Sequence, residues 1–212
     1  MERPGPASLS QPLPHRGEHE ATSTGLNHRK LLMWAFLGSD CMFFGTLIAT
    51  YLVHKGNSVV GPLPEDVFSI PVTSVSTLVL LMSSMSMVLA YAALTRGNLK
   101  VFRIWIASTA IMGMTFLAFQ VFEFRDFAQH GLTPRTNLFG TTFFTLTGFH
   151  GAHVTIGVIW LLSLLFYSFR PGQVTAERHL DVDLAALYWH FVDIVWIVIF
   201  TVVYLFGVFE GF

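Results

Sequence analysis

Charged residues are scarce in this sequence and make up only 12% of its 212 residues, whereas a soluble domain carries about a quarter. The chain therefore lacks the polar surface that a water-soluble fold of this length needs. It has a single cysteine, Cys41, from which neither a disulfide framework nor a cysteine metal site can be built. The formal net charge of −1 provides no basic surface for nucleic acid.

Long apolar runs are abundant instead, and hydrophobic residues make up 53% of the chain. Several runs exceed the roughly 20 residues that cross a bilayer as a helix. Because every backbone amide in lipid must be bonded within its own segment, such runs predict helices. The predicted fold is all-α, an integral membrane bundle of five transmembrane helices that forms one domain over residues 29–212. The helices are expected at about residues 31–53, 72–94, 101–127, 138–169 and 184–209, with Asp183 as the N-cap of the last one.

Residues 1–28 have no apolar period and are rich in proline, serine and histidine, which predicts a disordered tail. With five spans the two termini lie on opposite sides of the membrane. Nine of the twelve lysine and arginine residues fall on the N-terminal side. This excess places the N-terminus in the cytoplasm, or in the matrix if the source is an organelle, and the C-terminus on the opposite side.

Two of the predicted helices carry stripes of small residues at spacings of three and four. Such stripes allow helices to approach closely in lipid. A packed bundle of only five helices is also expected to leave one face for a partner. The stripes consist of Ser83, Ser86, Ala90 and Ala93 on the second helix, and of Thr141, Thr145, Gly148 and Ala152 on the fourth.

Several ionisable residues lie inside the apolar runs, where a charge at the bilayer centre costs about 3 kcal/mol on insertion scales. We expect them to be neutralised, paired or hydrogen-bonded inside the protein. They are Asp40, Glu123, His150, His153, His190 and Asp193, with Gln120 one turn before Glu123. Their depths, at 1.5 Å of rise per residue, predict that Asp40, the two histidines of the fourth helix, His190 and Asp193 meet in the inner half of the membrane. His190 and Asp193 are expected to bond to each other on one helix face.

Three roles fit this polar network. The first is a proton or ion path, and the second is a metal or haem site on the histidines. The third is a structural network that fixes helix register and contacts lipid or a partner. Gly148 and Gly151 beside the histidine pair favour tight packing over a metal. Trp189 and Trp196 share a face with Asp193 at spacings of four and three, as packing aromatics do. The structural interpretation is preferred.

Two strings carry a family resemblance. Residues 189–196 read WHFVDIVW, and residues 148–153 read GFHGAH after Thr142-Phe143-Phe144. Gln120-x-x-Glu123-Phe124 and Ser83-Ser84 add weaker matches. In this order the chain resembles subunit III of the haem-copper respiratory oxidases, the cytochrome c oxidase subunit 3 family, from about residue 31 to residue 206.

The resemblance implies a seven-helix parent fold shortened to five by loss of the first two helices. It implies a subunit with no catalytic residue, no metal and no redox centre of its own, since haems and copper belong to partner subunits. The implied role is to stabilise the catalytic subunit I, bind structural phospholipids and support proton uptake by a complex that reduces O₂ and pumps protons. Subunit I is the main expected partner, with subunit II and small or supercomplex subunits as further partners.

Asp40 departs from the family pattern, because many relatives have a buried glutamate there. The quinol-oxidising branch tends to have aspartate, so the resemblance leaves open whether the electron donor is cytochrome c or a quinol. Two rival functions remain at this point: a small proton-coupled transporter that uses Asp40, Glu123 and the histidines, and a haem-binding membrane cytochrome.

Overall fold

The computed structural model describes residues 27–54 and 70–206. These residues form five helices that are long and apolar enough to cross a membrane, which confirms the predicted all-α bundle. Four are α1 (His28–His54), α2 (Ile70–Thr95), α3 (Leu99–Gln129) and α4 (Leu138–Ser168); the fifth, α5, runs from Leu180 to Ile199 and continues as a π-helix over Phe200–Leu205. The predicted disordered tail lies outside the described residues, apart from Asn27 and His28.

The predicted boundaries are close for the first four helices and four residues late for α5. We expected α5 to begin at residue 184 after an Asp183 cap, but it begins at Leu180, and Asp183 lies within its first turn. The reason is that Asp181 and Asp183 suit the positive end of the helix dipole, so the polar residues are part of the helix and do not mark its start.

The π-helical segment at the outer end of α5 was not predicted. It places Tyr204 in the core, fully enclosed by its neighbours. Val203 exposes its carbonyl oxygen to the Tyr51 hydroxyl of α1, which donates to it across 3.5 Å. Short π-helical turns often mark places where tertiary contacts override local helix geometry.

Helix α5 forms the centre of the bundle, because it packs against α1, α2 and α4. The other four helices surround it in the order α1, α4, α3, α2, with each packed on the next. Within the described residues α1 and α2 do not pack along each other, so the arc is open on that side. Only 17% of the most apolar window of α1 is buried, against 50% for α5, which makes α1 the peripheral helix.

The α2–α3 pair is the tightest hairpin and uses the predicted stripe on α2. Ser83, Ser86, Ala90 and Ala93 are all buried, as expected for close helix contact. Gly97 adopts φ +76° in the connecting turn and donates its N–H to the Leu94 carbonyl. This left-handed residue ends α2, and the Asn98 side chain then accepts from the Val101 N–H to cap α3.

Two ion pairs join the first turns of α1 and α5. Arg29 lies 2.6 Å from Asp181, and Lys30 lies 2.7 Å from Asp183. The starts of α1 and α5 are therefore on the same side of the bundle, as an odd number of spans between the two termini requires.

Candidate functional site

Asp40 of α1 and His153 of α4 form a pair in the membrane interior. The His153 Nε2 lies 3.4 Å from the Asp40 carboxyl, and both side chains are mostly buried. The other ring nitrogen, Nδ1, is 2.7 Å from the Phe149 carbonyl. Because a carbonyl oxygen only accepts, Nδ1 carries a hydrogen, and Nε2 is left to face the carboxyl group. The Tyr188 hydroxyl of α5 donates to the His153 carbonyl at 3.0 Å, so three helices meet here.

His150 does not join this pair, contrary to the prediction. Its ring is completely enclosed and stacks on Trp196 with centroids 4.8 Å apart, while Phe116 and Phe44 approach edge-on. Neither ring nitrogen has a hydrogen-bond partner among the described residues. The ring is packed among aromatic side chains, including Phe44 of α1, and does not contact the Asp40 carboxyl.

His190 and Asp193 do not bond to each other either. The His190 Nδ1 lies 2.6 Å from the Ser84 hydroxyl of α2. Asp193, also beside Ser84, is 3% exposed, and neither carboxyl oxygen meets hydrogen-bonding geometry with a described group. Ser84 of α2 thus lies beside both His190 and Asp193. The spacing of three residues along α5 could not indicate this contact with another helix. No described hydrogen bond or ion pair links this group to Asp40.

Gln120 and Glu123 connect α3 to its two neighbours nearer the outer end of the bundle. The Glu123 carboxyl accepts a short hydrogen bond from the Thr73 hydroxyl of α2. The Gln120 amide donates to the Thr147 carbonyl of α4 at 2.7 Å. Both side chains are buried. The polar residues thus form separate helix-to-helix contacts, and the single cluster predicted from depth is wrong.

The tryptophans of α5 are packing residues that also donate hydrogen bonds to α2. The Trp189 Nε1 donates to Ser83, and the Trp196 Nε1 donates to Thr77, each at 3.0 Å. Satisfying an indole N–H in this way is what a buried tryptophan needs. The sequence analysis named both tryptophans but missed the serine and threonine that hold them.

Two further glycines, missed in the sequence, provide the space for Trp189. A Cβ added to Gly113 would lie 2.6 Å from the indole ring, and one added to Gly157 would lie 2.9 Å from it. Gly151 is equally close-packed, with its Cβ position 2.7 Å from the Gln120 amide. No sequence pattern pairs these glycines with a tryptophan 76 or 32 residues away; only the tertiary arrangement does.

Gly148 behaves differently, and so does the α4 stripe that contains it. A Cβ at Gly148 would meet nothing within 4 Å, and Thr141, Thr145 and Ala152 are exposed. We predicted that this stripe allows another helix to approach closely. Within the described residues α1, α3 and α5 pack mainly on the other faces of α4.

Fold and site together define a class: a multi-pass membrane protein of packed helices whose interior polar groups mainly join one helix to the next. In the described part of the chain no group of three or more histidine, cysteine, aspartate or glutamate side chains is arranged to hold a metal.

Comparison with known proteins identifies the family. The model of the family described as cytochrome c oxidase subunit III matches residues 14–208, and the chain belongs to that family. It is 36% identical to cytochrome c oxidase subunit 3 of Bacillus sp. (strain PS3), over 93% of this chain and 95% of the relative. It is 38% identical to quinol oxidase subunit 3 of Bacillus subtilis (strain 168), over 82% and 85% of the two chains. It is 37% identical to cytochrome bo(3) ubiquinol oxidase subunit 3 of Pseudomonas putida, over 82% and 84%.

The chain is therefore subunit III of a haem-copper respiratory oxidase. Its relatives include subunits of both cytochrome c oxidases and quinol oxidases.

Proposed function

We propose that this chain is a non-catalytic subunit of a cytochrome c oxidase that stabilises the catalytic subunit, binds phospholipid and supports proton uptake. The observation that carries the non-catalytic role is the state of the two α4 histidines. His150 is enclosed by aromatic rings on several sides, and their carbon atoms offer a metal no further ligands. Both nitrogens of His153 face protein groups. Haems and copper then belong to partner subunits, with subunit I as the main contact and subunit II and small or supercomplex subunits as others.

Phospholipid binding is supported by a cavity of about 390 Å³ at the ends of α1, α4 and α5 where the Arg29–Asp181 ion pair lies. It is lined by Arg29 and Arg178 together with Trp160 and Tyr167. Guanidinium groups bind phosphate in a fork geometry, and tryptophan and tyrosine favour the boundary between head groups and acyl chains.

Support for proton uptake comes from the Asp40–His153 pair. A carboxyl and an imidazole 3.4 Å apart can hold one proton between them, and both groups occur in proton relays of membrane proteins. The pair lies partly on α1, which is the helix least covered by the rest of this chain.

For the electron donor we propose cytochrome c. Cytochrome c oxidase relatives align over 89–96% of this chain, and quinol oxidase relatives over 82–87%. A quinol oxidase is the second candidate, favoured by identities of 37–38% to that branch and by the aspartate at position 40.

The proposed location is the bacterial plasma membrane, with the N-terminus in the cytoplasm and the C-terminus outside. The excess of basic residues on the N-terminal side supports this orientation. So does the position of Arg29, Lys30, Arg103 and Arg170 at one end of the bundle, at or near helix ends.

The test is to purify the tagged chain from its own membranes in mild detergent and to record an optical spectrum of what accompanies it. We expect haem absorbance from a co-purified partner, and none after the chain is separated from that partner. Cytochrome c is supported as the electron donor if the complex contains haem a and copper and oxidises cytochrome c. A quinol is supported if the complex oxidises a quinol. A Soret band that stays with the separated chain, or proton transport by that chain alone in vesicles, would overturn the accessory role.

A further inference from the structure

His190, near the middle of the membrane-spanning α5, has one imidazole nitrogen, Nε2, without a partner among the described residues. The residue is ten positions after the start of α5, about 15 Å along the helix axis, which is half the thickness of a hydrocarbon core of about 30 Å. Its ring is half-buried, and Nδ1 is engaged by Ser84. No described group bonds to Nε2, and this atom is not among the enclosed ones.

The surface around this nitrogen is apolar and belongs to the open side of the arc. Ile194 and Ile197 follow His190 on the same face of α5, and Leu81 and Val88 flank Ser84 on α2. All four side chains are exposed, Ile194 by 59%. We call these four residues and His190 the α2–α5 face.

The depth of His190 decides what can cover this face. Acyl chains offer no hydrogen bond to an imidazole, and head groups lie well above and below the middle of the membrane. Polar groups at this depth are satisfied by protein or by water that protein encloses. We therefore propose that a transmembrane helix of another oxidase subunit docks on the α2–α5 face and hydrogen-bonds to His190 Nε2 through a hydroxyl, amide or carboxyl side chain. This inference rests on the proposed function, in which the chain works only within a complex.

A second observation supports the same face. Asp193, one turn from His190, has a carboxyl group that is almost completely buried and lies beside the Ser84 hydroxyl. The carboxyl, the hydroxyl and the imidazole therefore form a row from the interior to the surface. The contact between the Ser84 hydroxyl and Nδ1 fixes the His190 ring with Nδ1 toward the interior. Nε2 is then the polar atom of this row that another subunit can contact.

Photo-crosslinking in the intact oxidase tests which molecule lies on this face. Ile194 is replaced by photo-reactive benzoylphenylalanine, and Ile111 on α3 serves as the matched control, since it is 57% exposed at a similar depth. We expect illumination to give a covalent adduct between this chain and a second oxidase subunit from position 194, in higher yield than from position 111. Adducts with lipid alone at position 194, or equal protein adducts at both positions, would overturn the proposal.

Substitution at position 190 tests the hydrogen bond itself. His190→Phe keeps an aromatic ring without a polar atom, and His190→Gln keeps a donor and an acceptor. We expect His190→Phe to lower the fraction of chain retained by the complex in detergent about fivefold to tenfold and His190→Gln to retain most of it. Ser84→Ala, which removes only the internal contact, should cause a smaller loss than His190→Phe. Equal losses from Ser84→Ala and His190→Phe would show an internal role alone and contradict the docking proposal.

The two proposals fail in different ways. If the chain brings down no haem-containing partner, the proposed function is wrong. If the oxidase is recovered intact but position 194 never reaches another subunit, the docking face is wrong and the proposed function stands.

Discussion

Gly148 and Gly151 lie three residues apart on α4, and the space in front of them differs completely. A methyl group at Gly151 would lie 2.7 Å from the Gln120 side chain, whereas a methyl group at Gly148 would meet nothing within 4 Å. The Gln120 amide is the donor to the Thr147 carbonyl. Space at position 151 is therefore needed for a buried hydrogen bond between α3 and α4.

The glycine pair gives a matched prediction. Gly151→Ala should lower the free energy of unfolding by about 1–2 kcal/mol, because the amide must move and weaken its bond. Gly148→Ala should leave it unchanged or raise it by about 0.5–1 kcal/mol, since alanine is the better helix former. Thermal loss of helicity, followed by circular dichroism in mild detergent, measures both. Shifts of equal size in the same direction would contradict this explanation.

Asp40 gives the residue-scale prediction for function. Asp40→Ala removes the carboxyl that faces His153, so we expect the oxidase to assemble, to bind a different amount of phospholipid and to lose activity gradually during turnover. Oxygen uptake over successive turnovers and lipid analysis of the purified complex measure these effects. Cys41→Ala, at the exposed neighbouring position, is the control and should behave as the natural chain. Immediate, complete loss of oxygen reduction in Asp40→Ala would contradict the proposed supporting role.

At this scale the sequence was informative about which residues matter and less so about their partners. The free-energy cost of placing an ionisable side chain in lipid identified Asp40, His153, His190 and Asp193 as important, because each such group must be neutralised, paired or hydrogen-bonded. Helix rise gave their depths, and this brought Asp40 and His153 together correctly. Rotation of each helix about its own axis is set by packing, so the isolation of His150 and the position of Ser84 beside both His190 and Asp193 could not be predicted.

The end of α4 shows how one element is terminated by another. Arg103 of α3 donates from Nε to the Ser168 hydroxyl at 3.1 Å and makes a short bond from Nη2 to the Ser168 carbonyl. The same guanidinium lies 4.6 Å from the ring centre of Phe169. A cation at a helix C-terminus satisfies carbonyls that have no intrahelical partner and interacts favourably with the helix dipole.

Loss of this cap should destabilise the bundle. Arg103→Gln is expected to lower the free energy of unfolding by about 1.5–3 kcal/mol, since hydrogen bonds from a charged donor are replaced by weaker ones. Arg170→Gln is the control, because Arg170 is exposed and its guanidinium group contacts only the Tyr167 ring at 5.6 Å among the described interactions, a contact expected to contribute about 1 kcal/mol or less. Denaturant titration in detergent compares the two. Equal destabilisation would refute the capping role.

Elements were predictable where hydrophobicity alone determines them. The apolar runs gave both ends of α1 to α4 to within three residues, because lipid requires a continuous helix. The start of α5 was missed since its first turn is polar and held by ion pairs. The π-helical segment from Phe200 packs on α2 and accepts a hydrogen bond from Tyr51 of α1, and local sequence does not contain these contacts.

At the scale of the whole molecule, the two ion pairs between α1 and α5 differ in exposure. The Lys30 and Asp183 side chains are 33% and 21% exposed, whereas those of Arg29 and Asp181 are 61% and 53% exposed. Water and salt screen the second pair more strongly. The more buried pair should therefore contribute more to holding the ends of the bundle together.

Double-mutant cycles with alanine test this difference. We expect a coupling energy of about 1 kcal/mol for Lys30 with Asp183 and close to zero for Arg29 with Asp181. The first value should decrease in high salt. Unfolding measurements on the single and double variants at two salt concentrations provide both numbers, and a larger coupling for the Arg29 pair would show that exposure does not determine their strength.

The link between α1 and α5 also has a consequence for biosynthesis. Lys30 is 153 residues from Asp183 in the chain, so a ribosome makes the cation long before its anion. A polypeptide that stops before residue 180 lacks both aspartates and the central helix against which the other spans pack. Completion of the last span is thus the step at which α1, already packed on α4, gains its second packed neighbour and both of its ion pairs.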